Sequence, residues 1–417
     1  MNIWIVNNYA IPPIYGGLVR HFYFAQYLQE MGHRVRILTD SQIHNTRVNV
    51  RDPGKFLKEV TYSDVLYTYV ACASYEKNDW RRIYNMLQFT FYTKKAMEIL
   101  YQGGDQPDII YASSPLPSSS YSAMKFAKKH KIPFIFEERD LWPLSLEEYG
   151  KIGSFSPLRL ILQGFYGIEH RLHRESAASL FTIAGGRDYI QDKNWTDVAL
   201  EKIYHINNGV DLAEFDQNRE SYPYADPDLD DPLTFKVVYT GSIRSIYDLD
   251  VILEAAKLLQ AEDPEVTFLF YGEGPERCRL EKRVQEEKIT NVRFKGRVDK
   301  KFIPSILSRA DLCLIHHHPV GLMRYGSSNN KLFEYLASAN PVLSTVPSSY
   351  SIVREKQCGL ECPDQEPETI AQTLLTMKNW SPEKRKKVEK NARLAVQEYD
   401  FSRLSQKLEK IFIKALS

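Results

Sequence analysis

The sequence predicts an α/β protein of two similar halves, each a parallel sheet wound with helices. Three observations carry that expectation. Short apolar runs alternate along the chain with amphipathic stretches, the pattern of parallel strands buried on both faces. Each half opens with such a run followed by a glycine turn, Gly16-Gly17 in the first and Gly241 in the second. Between them lies an acidic, proline-containing linker, Tyr222 to Pro232.

Taken in order, Asn2 to Asn7 reads as the first strand. A Pro-Pro turn and Gly16-Gly17 follow, and then a helix over Leu18 to Met31 with Leu18, Phe22, Ala25 and Leu28 on one face. Gly32-His33 ends it, and Arg34 to Thr39 returns as the second strand. Further strands are predicted at Val65–Val70, Ile109–Tyr111, Ile132–Glu137, Leu180–Ile183 and Ile203–Ile206. The second half starts afresh with Phe235–Tyr239, Gly241 and a helix near Asp250–Gln260. It continues through strand Phe268–Tyr271, the turn Gly272-Glu-Gly-Pro275, a helix near Pro275–Glu287 and strand Val292–Phe294. The turn Gly296-Arg-Val298 and strand Leu312–Ile315 come next. Neither half carries G-x-G-x-x-G, so the dinucleotide fingerprint is absent. The expected architecture is two Rossmann-like domains facing across a cleft, with ligands outside the strand carboxyl ends. The expected division is 1–207, 208–398 and a terminal amphipathic helix within 399–417 that uses Leu404, Leu408 and Ile411.

A chain of 417 residues with 43% hydrophobic and 26% charged residues has enough apolar surface for such cores. Its net charge of +1 argues against a nucleic-acid partner. Five cysteines without metal-type or paired spacing point to a reduced, cytoplasmic setting. No apolar run approaches the roughly 18 residues of a membrane span. The opening Met-Asn-Ile-Trp-Ile-Val reads as a strand rather than a signal peptide.

The segment Arg324-Tyr-Gly-Ser-Ser-Asn-Asn-Lys331 carries the most chemical information. A Gly/Ser/Asn loop runs straight into a helix with Leu332, Phe333 and Leu336 on its buried side. Loop amides and helix-start donors together suit an anion, phosphate above all. Lys331 adds a positive charge, and Glu334 puts an acceptor one turn in, suited to a sugar hydroxyl. The alternative is a capped core helix with incidental charges.

In its ordered motifs the chain resembles the GT-B glycosyltransferases of retaining family 4 (group 1), specifically the bacterial subgroup assembling O-antigen, capsule or exopolysaccharide. The marks are Gly16-Gly17, Phe136-Glu-Glu-Arg-Asp-Leu-Trp-Pro143, Asn208-Gly-Val-Asp211, Tyr239-Thr-Gly241, Tyr271-Gly-Glu-Gly-Pro275 and Ser328-Asn-Asn-Lys-Leu-Phe-Glu-Tyr335. The resemblance implies a nucleotide-sugar in the second domain, with UDP as the expected carrier. Glu334 matches the ribose-binding glutamate. The amides of Ser327, Ser328 and Asn329, beside Asn330, would hold the diphosphate, with Lys331 as counter-charge and Gly241 in the facing turn. Arg297 and Val298 would lie against the base. Gly17 would approach the phosphate or the transferred sugar, and the final helix would pack back on the first domain. The implied acceptor is a glycan or a polyprenyl-diphosphate-linked sugar at the inner leaflet, and no metal or other cofactor is expected.

Three departures bear on the chemistry. The first acid of the family's E-x7-E pattern falls on Gly326. The usual Arg and Lys after the Tyr-x-Gly turn are Ser242 and Tyr247, so Arg244 is the first substitute for the diphosphate clamp. The common His-Asp pair is Arg139-Asp140. Arg244 and Lys331 are therefore expected to stabilise the leaving group. Asp140 would orient or deprotonate the acceptor hydroxyl, unless it is a buried structural ion pair with Arg139.

Other clusters read more plainly. Asp226-Pro-Asp228-Leu-Asp230-Asp231 has the D-x-D spacing of metal-dependent transferases, but in a linker it reads as a solvated charge run. His316-His-His318 is expected to rim the cleft, and His21 is open between a cleft role and a packed one. The aromatic and cationic stretch Trp80 to Lys95 and the basic run Lys125 to Lys131 are ordinary helix faces, or surfaces resting peripherally on anionic lipid. Two rival functions remain open: a nucleotide-sugar epimerase on the same fold, and a non-catalytic nucleotide-sugar-binding subunit.

Overall fold

The computed structural model describes residues 1–44, 46–77, 79–150 and 158–417. The chain divides into two compact units, Met1–Asn207 with Phe401–Ser417, and Asn208–Asp400.

The first unit is built on an eight-stranded sheet: β1 (Asn2–Val6), β2 (Arg34–Asp40), β3 (Leu57–Tyr62), β4 (Val65–Val70), β5 (Ile109–Ser113), β6 (Phe134–Glu138), β7 (Ala178–Phe181) and β8 (Ile203–His205). Their spatial order is β3-β4-β2-β1-β5-β6-β7-β8. All pairings are parallel except β3 with β4. That hairpin corrects the all-parallel expectation. It turns on Ser63 and Asp64, both at positive φ (43° and 66°), the conformation a tight two-residue hairpin turn requires. Successive side chains of β1 face opposite layers. Ile3 and Ile5 join Phe22, Phe24 and Leu28 of the first helix (Arg20–Glu30) and Leu404, Leu408 and Phe412 of the last (Phe401–Leu416). Trp4 and Val6 join Phe89 and Met97 of helix Trp80–Gln102 and Phe126 of helix Pro117–His130. The last helix thus completes the core of the first unit, with the Phe401 ring stacked on Tyr23 at 4.8 Å.

The second unit has six strands, all parallel: β9 (Phe235–Thr240), β10 (Val266–Tyr271), β11 (Val292–Gly296), β12 (Leu312–Ile315), β13 (Val342–Ser344) and β14 (Gly359–Glu361). Their order is β11-β10-β9-β12-β13-β14. Val237, Tyr239, Phe268 and Phe270 meet Leu253, Ala256 and Leu259 on one face. Val238, Leu269 and Tyr271 meet Leu332, Phe333 and Leu336 on the other. Strand order reverses at β9, whose neighbours are β10 and β12. The carboxyl ends of β9 and β12 therefore flank the switch point, where a doubly wound sheet leaves its crevice.

The acidic linker departs from the sequence reading. Asp226 is buried; it accepts from Tyr271 Oη and from Lys295 Nζ, both at 2.6 Å, and caps the short helix Pro227–Asp230. Arg309 pairs with Asp230 at 2.6 Å, and Lys295 also bonds Asp228. The buried Asp226 thus docks the linker, while Asp228 is half-buried and Asp230 stays exposed, so the solvated reading fails chiefly at Asp226.

Candidate active site

At the switch point of the second unit, β9 delivers Gly241 and helix Asn330–Ala337 delivers Lys331 from its first turn. The Lys331 ammonium is buried and has no hydrogen-bond partner among the described residues. It lies 3.6 Å from the Tyr239 ring centroid and 4.2 Å from that of Tyr247. Burial drives its pKa well below the ordinary lysine value. The two aromatic faces offset only part of the cost of burying the charge, and no counter-ion among the described residues supplies the rest. Tyr247 occupies the position of the missing family lysine, so that departure supplies a ring beneath Lys331. Gly241, at φ +129°, leaves room for the lysine stem, and a Cβ on Gly272 would fall 1.7 Å from the Gly241 carbonyl oxygen.

The loop before the helix is shaped by Gly326 at φ +101°. A glutamate at this position would be strained, a physical reason for the missing first acid. Asn329 caps the helix, its Oδ1 accepting from Lys331 N at 3.1 Å. Asn208 Nδ2 donates to the Ser328 carbonyl at 2.9 Å, and Asn208 N donates to Ser328 Oγ at 3.3 Å. The N–H groups of Ser327 and Asn329 have no acceptor among the described residues. Asn330 opens the helix and is exposed.

One turn on, Glu334 is held by Lys300 Nζ. β11 ends at Gly296 (φ +80°), whose carbonyl accepts from Gly272 N at 2.8 Å. Beyond it Arg297 is exposed, while Val298 packs against the cluster that includes Leu332. Gly241, Lys331, the 326–330 loop, Glu334 and Val298 are thus gathered at the strand carboxyl ends and around one helix. Arg244 belongs to the turn after β9 but is exposed, and its side chain makes no hydrogen bond or ion pair among the described residues. Sequence reasoning missed Tyr239 and Lys300. Tyr239 closed a predicted strand and a motif with no contact assigned to it, and Lys300 carries no pattern that sets it apart from the other lysines.

The three histidines differ from the expected rim. His316 is buried, its Nδ1 2.5 Å from Thr345 Oγ1 and its Nε2 3.0 Å from the Asp248 carbonyl oxygen, and burial pushes its pKa down to about 4. His317 is buried too. His318 alone is exposed, 3.4 Å from Asp248.

In the first unit, Gly17 is exposed and follows Gly16 at φ +143°. Asp140 corrects an expectation, since it is exposed and forms no ion pair with Arg139. The turn that carries it places Leu141 at φ +45° and points the aspartate outward. His21 is fully buried, with Nε2 3.4 Å from Glu137 Oε2. Glu137 itself is clamped by Arg20, Nη2 at 2.8 Å and Nε at 3.0 Å, and by Ser113 Oγ at 2.6 Å. Arg20 holds the Glu137 carboxyl well below its usual range against the opposing cost of burial. The Arg20 guanidinium also donates to the carbonyls of Ile206 and Asn207. Helix Trp80–Gln102 carries two apolar faces. Phe89 and Met97 are buried, whereas Trp80, Ile83, Tyr84, Leu87 and Phe91 form an outward stripe, from 49% exposed at Leu87 to 73% at Phe91. In the basic run, Lys128 and Lys129 pair with Glu175 and Glu98.

Five cysteines are free, and only Cys278 is exposed. No helix among the described residues is long and apolar enough to cross a membrane.

Residues 15–214 match the family model described as Glycosyltransferase Family 4, and residues 234–379 match that described as Glycosyl transferases group 1. No curated protein matches the chain. Among solved structures, sucrose-phosphate synthase from Thermosynechococcus elongatus is similar at TM-score 0.70 and 16% identity, covering 99% of this chain and 98% of its own. A glycosyltransferase from Rickettsia africae is similar at TM-score 0.66 and 16% identity, covering 100% and 98%. HepE from Anabaena, solved in complex with UDP-glucose, is similar at TM-score 0.65 and 12% identity, covering 98% of each chain. At these identities the likeness is one of fold.

Proposed function

We propose, from the premise that the chain is built from a family 4 and a group 1 glycosyltransferase domain, that it is a retaining transferase. It moves a hexose or N-acetylhexosamine-type sugar from a nucleotide donor, with UDP as carrier. The observation that carries this reading is the buried Lys331 ammonium, without a hydrogen-bond partner among the described residues, beside acceptor-free loop amides at a helix start. An ammonium in that position lacks an anion, and a diphosphate supplies one. UDP is the carrier named in the complex of HepE, which supports that choice.

The chemistry needs a nucleoside diphosphate stabilised as its bond to the sugar breaks. Donors aimed at that growing charge contribute the largest electrostatic part. We assign Lys331 and the amides of Ser327, Ser328 and Asn329 to the diphosphate, with Arg244 added from its exposed position after β9. Glu334 takes the ribose by releasing Lys300, and Arg297 and Val298 border the base. The sugar passes through an oxocarbenium-like state, and an acceptor hydroxyl attacks from the face the diphosphate leaves. Asp140, an exposed carboxylate with no ion pair among the described residues, is assigned to that hydroxyl, and Gly17 to the transferred sugar. This chemistry needs no metal.

The acceptor is a glycan or polyprenyl-diphosphate-linked sugar in surface polysaccharide assembly. The outward stripe of helix Trp80–Gln102, edged by the exposed cations Arg81, Lys94 and Lys95, supports peripheral contact with the cytoplasmic membrane face. A thermal-shift series with UDP, GDP, ADP and UDP- and GDP-sugars, each with and without EDTA, tests the donor assignment. Stabilisation by one nucleotide, undiminished by EDTA, is the expected result. No stabilisation by any of them would remove the donor site.

A further inference from the structure

We propose that Glu138, Glu169 and His173 form a buried divalent-cation site within the first unit, separate from the transfer chemistry. Glu138 ends β6. Glu169 and His173 stand four residues apart on one face of helix Leu158–Glu175. One ligand atom from each lies within 4.8 Å of the other two, and all three side chains are fully buried.

The preceding residue provides the contrast. Glu137 is equally buried, but it has Arg20 as a counter-ion and Ser113 as a donor. Glu138 has no cation paired with it among the described residues: Ser114 Oγ donates to Oε1 at 3.0 Å, Trp142 N lies 3.4 Å from the same oxygen, and Oε2 has no partner. Glu169 accepts from Tyr189 Oη, at 2.9 and 3.0 Å, and forms no ion pair among the described residues, Lys193 acting on it only from beyond ion-pair distance. Neither ring nitrogen of His173 has a partner among the described residues. Buried polar atoms left without partners are costly, and uncompensated buried carboxylates more so. A cation placed among the three answers all of these deficits together.

The surroundings fit a ligand role. The His173 ring lies parallel to Phe181 (5.0 Å, 6°) and edge-on to Phe136 (5.0 Å, 66°), which fixes its plane. Ser114 and Tyr189 orient the two carboxylates from outside, as supporting hydrogen bonds do around metal ligands. One imidazole nitrogen with two carboxylate oxygens selects zinc, manganese or cobalt over magnesium or calcium, which prefer all-oxygen sets. Glu138 opens the turn that bears Arg139, Asp140 and Leu141. A cation here is structural and ties β6 and that turn to the 158–175 helix. The competing occupant is protons shared by the two carboxyl groups.

The test uses the full chain, stripped with chelator, dialysed and titrated with Co²⁺ and then Zn²⁺. Visible absorption, metal content and melting temperature are followed. The expected result is about one Co²⁺ per chain with a protein-dependent visible band, its displacement by Zn²⁺, and a raised melting temperature. Glu169→Gln and His173→Gln should each weaken binding tenfold or more, while His170→Gln, one turn away and paired with Asp197, should keep it. Absence of both band and melting shift in the wild-type chain would overturn the site in favour of protons, whatever the variants do. Undiminished binding in both ligand variants would overturn it as well.

Discussion

A Cβ placed on Gly241 would lie 2.4 Å from Cε of Lys331. The absence of a side chain at the end of β9 is therefore what permits the lysine to cross to the faces of Tyr239 and Tyr247. Gly241→Ala is expected to displace Lys331 and to strain a backbone at φ +129°. UDP affinity should fall about tenfold or more, with a stability loss of about 1–3 kcal/mol. Calorimetric titration alongside chemical denaturation separates the two effects. Unchanged affinity would detach Lys331 from the donor.

Burial lowers the pKa of Lys331 in the free protein, and a bound diphosphate would raise it again. Nucleotide binding should therefore take up a proton in the window between those two values. Affinity should weaken as pH rises through that window. Titrations in buffers of different ionisation enthalpy would reveal the uptake, and Lys331→Met should abolish it.

Glu334 and Lys300 should part company in mutagenesis. Glu334→Ala removes the proposed ribose acceptor and is expected to weaken UDP binding by roughly 1.5–3 kcal/mol. Lys300→Met removes only the cation that occupies the carboxylate in the free protein, so affinity should hold or improve. Equal losses in both would show that the pair acts as a unit.

Asp40 provides a pH dependence within the first unit. It is fully buried, with Oδ1 accepting from Gln42 N at 2.8 Å and Oδ2 unpartnered among the described residues, and burial raises its pKa from 3.8 to about 8. Between those values the unfolded chain releases the proton while the folded chain retains it. Stability should therefore decline as pH rises from about 4 to about 8 and level off above. Asp40→Asn should flatten that decline in denaturation midpoints taken across the range. A profile identical to the wild type would show that Asp40 does not titrate there.

The outward stripe of helix Trp80–Gln102 makes a prediction that leaves the fold alone. Leu87→Glu with Phe91→Glu should abolish co-sedimentation with vesicles containing anionic lipid, while melting temperature stays within a few degrees. Retained sedimentation would place any membrane contact elsewhere.

Much of this architecture was legible because parallel strands buried on both faces leave continuous apolar runs. β4 and β12 match their predicted limits, the other predicted strands shift by one or two residues at one end or both, and the short β13 and β14, three residues each, were not predicted. The loop around Lys331 was legible because small residues before an amphipathic helix leave few alternatives. The β3 hairpin was not, since Ser63-Asp64 adopts positive φ without a glycine to announce it. Arg20 was invisible for another reason. A basic residue at a helix start ordinarily reads as solvated, and its partners lie 117 and 187 positions away. Asp226 misled in the same way, its partner Lys295 being 69 positions on. Long-range polar pairing leaves no periodicity to read.

With four of the five cysteines buried, Cys278 presents a lone accessible thiol at the start of helix Arg277–Glu286. The guanidinium of its neighbour Arg277 lies where a Cβ on Gly296 would meet it at 3.0 Å, beside the turn that leads to Val298. The unaltered protein thus comes with a single-site handle. A maleimide fluorophore attached there would test the proposed seating of the base against Val298 through a change of emission on adding UDP, and no other cysteine would first have to be replaced.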